Sequence, residues 1–212
     1  MKSYEYIRDP GEIYQLSSQR VRELTDVSSL PPQLHDIAYR LVHACGMPDI
    51  VAELAWEGDP ATVARHALSN GGSILVDAMM VANGVIRDRL PAANNIVCTL
   101  NDAGTEDIRR EQDTTRSAAA IELWRQHLDG AVVAIGNAPT ALFRLLEILQ
   151  RDSDLRPAAI FGFPVGFVGA VESKAALAES MLGVPFLTLH GRRGGSALAA
   201  AAINALAGPM SQ

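Results

Sequence analysis

Residues 131–140 read Ala131-Val132-Val133-Ala134-Ile135-Gly136-Asn137-Ala138-Pro139-Thr140. The stretch opens as a continuous apolar run ending in glycine, the pattern of a strand buried on both faces. Asn137 can cap a helix and Pro139 suits its opening turn. Leu142, Leu145, Leu146 and Leu149 then recur at helical spacing. A buried strand running straight into a helix predicts a parallel sheet joined by helical crossovers.

The same signature extends outward. Ser73–Asp77, Asn95–Leu100, Ala158–Phe163 and Pro185–His190 are apolar-rich runs bounded by Gly, Pro, Asn or Asp, and read as four more strands. Helical patterns lie between them. Asp59 and Pro60 can open one that Gly71-Gly72 closes. Met79–Arg89 is another, with Gly84 its weak point. Thr114 or Thr115 can cap the next; Ser173–Leu182 ends at Gly183, and Gly195–Ala207 closes the chain. The expected class is α/β: three layers (α/β/α) around a mostly parallel five-stranded sheet. Only helices are expected before Ser73. One domain over 1–212 therefore divides into a helical wrap, about 10–72, and a sheet-forming part, about 73–207. Ligands gather at the carboxyl ends of such strands. That rule lines up Asp77, Thr99–Asp102, Gly136-Asn137, Pro164–Gly169 and His190–Arg193.

Bulk properties narrow the function. The chain has 212 residues, 48% hydrophobic and 20% charged, as in an ordinary globular domain with a sizeable core. A formal net charge of −6 argues against nucleic acid as a partner. Cys45 and Cys98 lie in apolar runs and suggest no disulfide framework, which fits a reducing cytoplasm. The opening Met1-Lys2-Ser3-Tyr4-Glu5-Tyr6 lacks the apolar region of a secretory leader. The apolar stretch Ala158–Val171 is too short to span a bilayer, so no membrane is expected. Gly208–Gln212 should fray.

Tyr39–Gly46 ends an amphipathic helix. Leu34, Ile37, Ala38, Leu41, Val42 and Cys45 form its core face, whereas Asp36, Arg40 and His43 share another side. Arg40 and His43 thus put a fixed cation beside a group that titrates near neutral pH. The remaining histidines are His35, His66, His127 and His190. No two histidines stand four apart and no Cys-x-x-Cys occurs, so no metal site is indicated. His35, His66 and His127 read as surface residues.

Several motifs carry two readings. Gly136–Thr140 is either a capped helix start or a set of free amides that can hold a carboxylate or phosphate. Gly162–Gly169 is either a tight turn or a wall for a flat, bulky ligand, with Phe163, Val165 and Phe167 as apolar surface. It matches neither a Walker A loop nor the dinucleotide fingerprint. Arg116 sits at a helix start, where a cation is mildly unfavourable; that suggests a ligand carboxylate, or else a plain surface arginine. His190-Gly191-Arg192-Arg193-Gly194-Gly195 is a basic loop or a solvated turn.

Val42–Gly46, Asp113–Ala119, Gly136–Leu142 and Gly162–Ala170 followed by Glu172-Ser173-Lys174, in this order and spacing, resemble the precorrin-8X methylmutases of cobalamin biosynthesis. The resemblance runs from about Tyr4 to near Ala207. The segment Asp77–Gly84 departs from the pattern at Met79 and Asn83. The resemblance implies a flavodoxin-like sheet, a homodimer and a corrinoid substrate at the subunit interface. It also implies an isomerase that moves a methyl group from carbon 11 to carbon 12, giving hydrogenobyrinic acid. Neither S-adenosylmethionine nor any other cofactor is expected. His43 is expected to act catalytically by lending a proton to the macrocycle. Arg40, Arg116, Arg192 and the amides around Asn137 and Thr140 would hold the substrate's carboxylates. Ser17 enters only through the resemblance, as a contact from the first helix. The competing readings are the cobalt-containing substrate, a non-catalytic corrinoid-binding protein, and a nucleotide-binding module.

Overall fold

The computed structural model describes residues 3–208; the expected fraying of the tail falls mostly on residues 209–212, outside them. Helices α1 (Pro10–Leu24) and α2 (Pro32–Cys45) and a 3-10 segment (Pro48–Glu53) precede β1 (Leu54–Glu57). Then follow α3 (Pro60–Ser69), β2 (Ile74–Val76), α4 (Met79–Gly84), β3 (Ile96–Val97), α5 (Ala103–Glu111) and α6 (Arg116–Glu122). The chain continues through β4 (Val132–Ile135), α7 (Pro139–Arg151), β5 (Ala159–Gly162), α8 (Ala170–Ala178), β6 (Phe186–Leu189) and α9 (Ser196–Leu206).

The strand order is β1-β6-β5-β4-β2-β3. All paired neighbours are parallel except β1 and β6. Without β1 the order is that of a flavodoxin-like sheet, which reverses direction between β2 and β4. Successive side chains of a strand point to opposite faces. Ile74, Val76, Val132, Ala134 and Phe161 accordingly join one core with residues of α2, α3, α4 and α9. Leu75, Val133, Ile135 and Ile160 join the other with residues of α6, α7 and α8. Both faces are covered, which is why these strands read as unbroken apolar runs.

The structure corrects four expectations. The sheet has six strands, not five. The extra one, β1, lies before Ser73, where only helices were expected, and pairs antiparallel from Leu54↔Leu189 to Glu57↔Phe186. It is an edge strand whose side chains run from buried Leu54 to exposed Glu57, so it lacks the apolar signature of its neighbours. The expected helix Met79–Arg89 stops at Gly84, and Arg87–Arg89 forms a separate 3-10 turn. At the break, Asn204 of α9 donates from Nδ2 to the Gly84 carbonyl (2.9 Å) and accepts at Oδ1 from the Ile86 amide (2.8 Å). Asn137 does not cap α7; Ala138 occupies that position without a side-chain cap. The helix expected over Ser173–Leu182 begins at Ala170, after Gly169 in the left-handed region (φ +78°), and ends at Ala178. Other caps are as expected: Asp59 accepts from the Thr62 amide at 3.0 Å, and Thr115 from the Ala118 amide at 3.2 Å. No helix among the described residues is long and apolar enough to cross a membrane.

Candidate active site

Ile13, Leu16, Ser17, Arg20, Val21 and Leu24 recur at spacings of three and four along α1, so they share one face. That face meets the end of α2. Ser17 Oγ lies 3.2 Å from His43 Nδ1. A hydroxyl donating to Nδ1 leaves the neutral ring's proton on Nε2; on a charged ring, Nδ1–H donates to Ser17 instead. Either way the serine fixes the ring and leaves Nε2 available to a ligand.

His43 lines two cavities. One, of about 380 Å³, has an apolar wall of Ile13, Leu16, Val21, Leu24 and Val42, with Arg20 at its margin. The other, of about 430 Å³, is bounded by Tyr14, Arg40, Arg89, Asn204 and the small side chains of Ala197, Ala200 and Ala201. Arg40 is only 7% exposed, and among the described residues its Nε and Nη2 have no hydrogen-bond partner. The sequence placed Arg40 with His43 and Asp36 away from the core face. His43 is exposed and Asp36 half-buried, but α9 packs along α2, and Arg40 faces a cavity that it shares with Ala197, Ala200, Ala201 and Asn204. A buried charge without a counter-charge costs folding free energy, typically ~3–5 kcal/mol for a broken buried pair. Such a group is poised to take an anion.

The other expected contacts stand elsewhere. Arg116 is exposed and donates to the Leu100 carbonyl (2.9 Å) and to Asn101 Oδ1, at the carboxyl end of β3. Thr140 Oγ1 accepts from Thr115 Oγ1 at 2.8 Å. The Asn137 side chain is exposed beside it. Arg192 follows β6, with its guanidinium 5.8 Å from the centroid of the Phe167 ring. None of these four residues lines either His43 cavity.

The amides around Asn137 are not open to a ligand, contrary to expectation. Asp77 Oδ1 accepts from Gly136 (2.9 Å), and Oδ2 accepts from Asn137 (2.9 Å) and Ala138 (2.7 Å). Burial raises the Asp77 pKa above the usual aspartate value, while these three amide bonds pull it down. Within Gly162–Gly169, Phe163 is buried; Val165, Phe167 and Val168 are the exposed large apolar groups. Arg193 is engaged by Asp49 and Glu53, each at 2.6 Å, whereas Arg192 forms no ion pair among the described residues. His66 and His127 are exposed, but His35 is half-buried with Nε2 on the Leu30 carbonyl at 3.0 Å. Cys45 and Cys98 are free, half-buried thiols.

Sequence reasoning missed Tyr14, Arg20, Arg89 and Asn204 at the cavities. The face of α1 would have exposed Arg20, since it stands three residues after Ser17. Arg89 sits in a single 3-10 turn and carries no pattern.

A family model described as precorrin-8X methylmutase matches residues 12–208. A precorrin-8X methylmutase of Pseudomonas aeruginosa is 53% identical over 203 residues, 96% of this chain and 97% of its own length. One from Sinorhizobium sp is 53% identical over 209 residues, covering 99% of both chains. The crystal structure of a precorrin-8X methylmutase from Thermus thermophilus superposes with a TM-score of 0.84 at 34% identity, covering 93% of this chain and 94% of that one. A cobalt-precorrin-8 methylmutase of Methanothermobacter thermautotrophicus is 35% identical over 198 residues, 92% of this chain and 91% of its own.

Proposed function

The chain belongs to the precorrin-8X methylmutase family of isomerases, and from that premise we propose that it moves a methyl group from C-11 to C-12 of precorrin-8X, giving hydrogenobyrinic acid, with His43 as proton donor. The methyl migrates within one molecule, so no bond to an outside donor forms. Protonating the macrocycle makes the accepting carbon more electron-poor, and the same imidazole recovers the proton afterwards. Ser17 on Nδ1 favours this role because it presents Nε2 to the cavities. A positioned general acid typically contributes about 10²–10⁴-fold. Holding the ring in a reactive conformation away from water supplies the rest.

The observation that carries the reading is the buried Arg40 guanidinium beside His43, whose Nε and Nη2 find no partner among the described residues. Corrin precursors are rimmed with acetate and propionate carboxylates, and one of these would neutralise Arg40. The apolar cavity on the other side of His43 suits the methyl-bearing face of the macrocycle. Arg116, Asn137, Thr140 and Arg192 are further substrate contacts in this reading. They lie outside the His43 cavities of one protomer, which favours a homodimer whose site is completed across the interface. Phe167, 90% exposed beside Arg192, and Val168 fit such an interface. Identity of 53% to relatives named for precorrin-8X, against 35% to one named for cobalt-precorrin-8, favours the metal-free substrate.

His43→Ala tests the mechanism. We expect normal folding, retained product binding and turnover reduced about 10²–10⁴-fold. Unchanged turnover removes His43 from the reaction. Parallel assays with metal-free and cobalt-loaded substrate decide between the two substrates, and tight product binding without conversion by the native protein would mark a carrier instead.

A further inference from the structure

The α7 N-terminus stands where the strand order reverses, between the ends of β2 and β4. An open parallel sheet takes its ligand at such a switch point, and a helix start there offers free amides and the positive end of a dipole. In this chain the place is already taken. Asp77 directly follows β2, is 3% exposed, and accepts from three consecutive amides across the reversal, those of Gly136, Asn137 and Ala138, at 2.7–2.9 Å. Among the described residues no Lys, Arg or His forms an ion pair with it. Amides and the helix end alone balance the charge. The turn is also fixed from behind: a Cβ on Gly136 would lie 2.7 Å from Ser196 Cα and 2.8 Å from Ala199 Cβ. The amides are therefore clamped between the carboxylate and α9.

We propose that Asp77 is an internal anion, filling the switch-point site that an anionic ligand group would otherwise occupy. It thereby acts as a positioning residue for the exposed Asn137 side chain and for Thr140 in the first turn of α7. Two consequences follow. Phosphate-bearing ligands find the amides of Gly136, Asn137 and Ala138 already engaged, so the carboxylates of the true ligand are met chiefly by side chains. The turn is also set before any ligand arrives. Only the link to catalysis rests on the substrate roles proposed above for Asn137 and Thr140.

Asp77→Ala tests this, because alanine plus formate rebuilds the aspartate side chain atom for atom. In the folded variant, formate or acetate should bind saturably, shift the backbone amide resonances of Gly136, Asn137 and Ala138, and raise Tm. In the native protein the same anions, and inorganic phosphate, should leave those three resonances unmoved. A folded Asp77→Ala protein whose amides ignore formate, acetate and phosphate overturns the proposal, as does a native protein whose amides respond to phosphate. If Asp77→Ala does not fold, Asp77→Asn retains the shape but turns an NH₂ toward amide donors. Its KM should rise roughly tenfold with kcat little changed; native amide shifts together with a native KM overturn the proposal. Should anions bind Asp77→Ala while its KM stays native, the internal anion stands and the substrate roles of Asn137 and Thr140 fall instead.

Discussion

At the residue scale the proposed site is three side chains from two helices. His43 supplies the imidazole, Ser17 holds its Nδ1, and Arg40 supplies a buried cation whose Nε and Nη2 find no partner among the described residues. The pairing of Arg40 with His43 was legible, because residues three apart on a helix are neighbours. Ser17 was not legible on physical grounds. Its partner stands 26 positions away, and only the packing of α1 on α2 brings the two together. Two outcomes test this trio. Ser17→Ala should fold normally and lower kcat, roughly tenfold for about 1.4 kcal/mol of lost orientation, with product binding nearly native; an unchanged kcat would deny the serine its role. Arg40→Met should separate stability from function. Replacing an unpaired buried charge with an apolar group of similar length should leave unfolding free energy unchanged or raise it by ~1–4 kcal/mol. Product affinity should meanwhile fall at least tenfold. Urea unfolding and a binding titration measure both, and lost stability with native affinity is the contrary result.

At the element scale the contact of α4 with α9 shapes the cavity beside Arg40. The small residues of α9 allow close approach. A Cβ added at Gly84 would meet Ala200 Cβ at 2.7 Å. Gly84→Ala should therefore destabilise by about 1–3 kcal/mol, despite alanine's better helix propensity. Ala200→Gly in the same chain should recover part of that loss, and strictly additive effects in a double-mutant cycle would argue against the contact. The break after Gly84 was not legible. Apolar periodicity continues through Val85 and Ile86, and what ends the helix is Asn204, 118 residues beyond Ile86. A side chain that satisfies both backbone groups of a break makes ending the helix cheaper than continuing it.

At the scale of the whole molecule, Lys174 ties the layers together. It is fully buried, and Nζ donates to the Arg193 carbonyl at 2.5 Å. Arg193 in turn holds Asp49 and Glu53 of the N-terminal third. Burial lowers the Lys174 pKa from 10.5 to about 8. Below that value both folded and unfolded chains carry the proton. Between about 8 and 10.5 the unfolded chain keeps a proton that the folded one has lost, so this residue's contribution to stability rises with pH across that window. Lys174→Met should abolish that rise, as urea unfolding on either side of the window would measure; an unaltered pH dependence would contradict the assignment. The proposed dimer is tested by Phe167→Glu, which should sediment as a monomer with the fold intact.

Read alone, the sequence was enough for the alternation of strand and helix, the apolar character of both sheet faces and the neighbouring of Arg40 and His43 on α2. These are local properties, written at periods of two and 3.6 residues in neighbouring positions. The sixth strand, the break in the helix after Gly84, the burial of Arg40 and the engagement of the Gly136–Ala138 amides by Asp77 came only with the packing of the folded chain. Each depends on a partner far along the chain: β6 for β1, Asn204 for the break, α9 for Arg40, and Gly136–Ala138 for Asp77. Periodicity records which face of an element is apolar. It does not record which distant backbone or side chain will meet that face, because the meeting is set by the order of strands in the sheet.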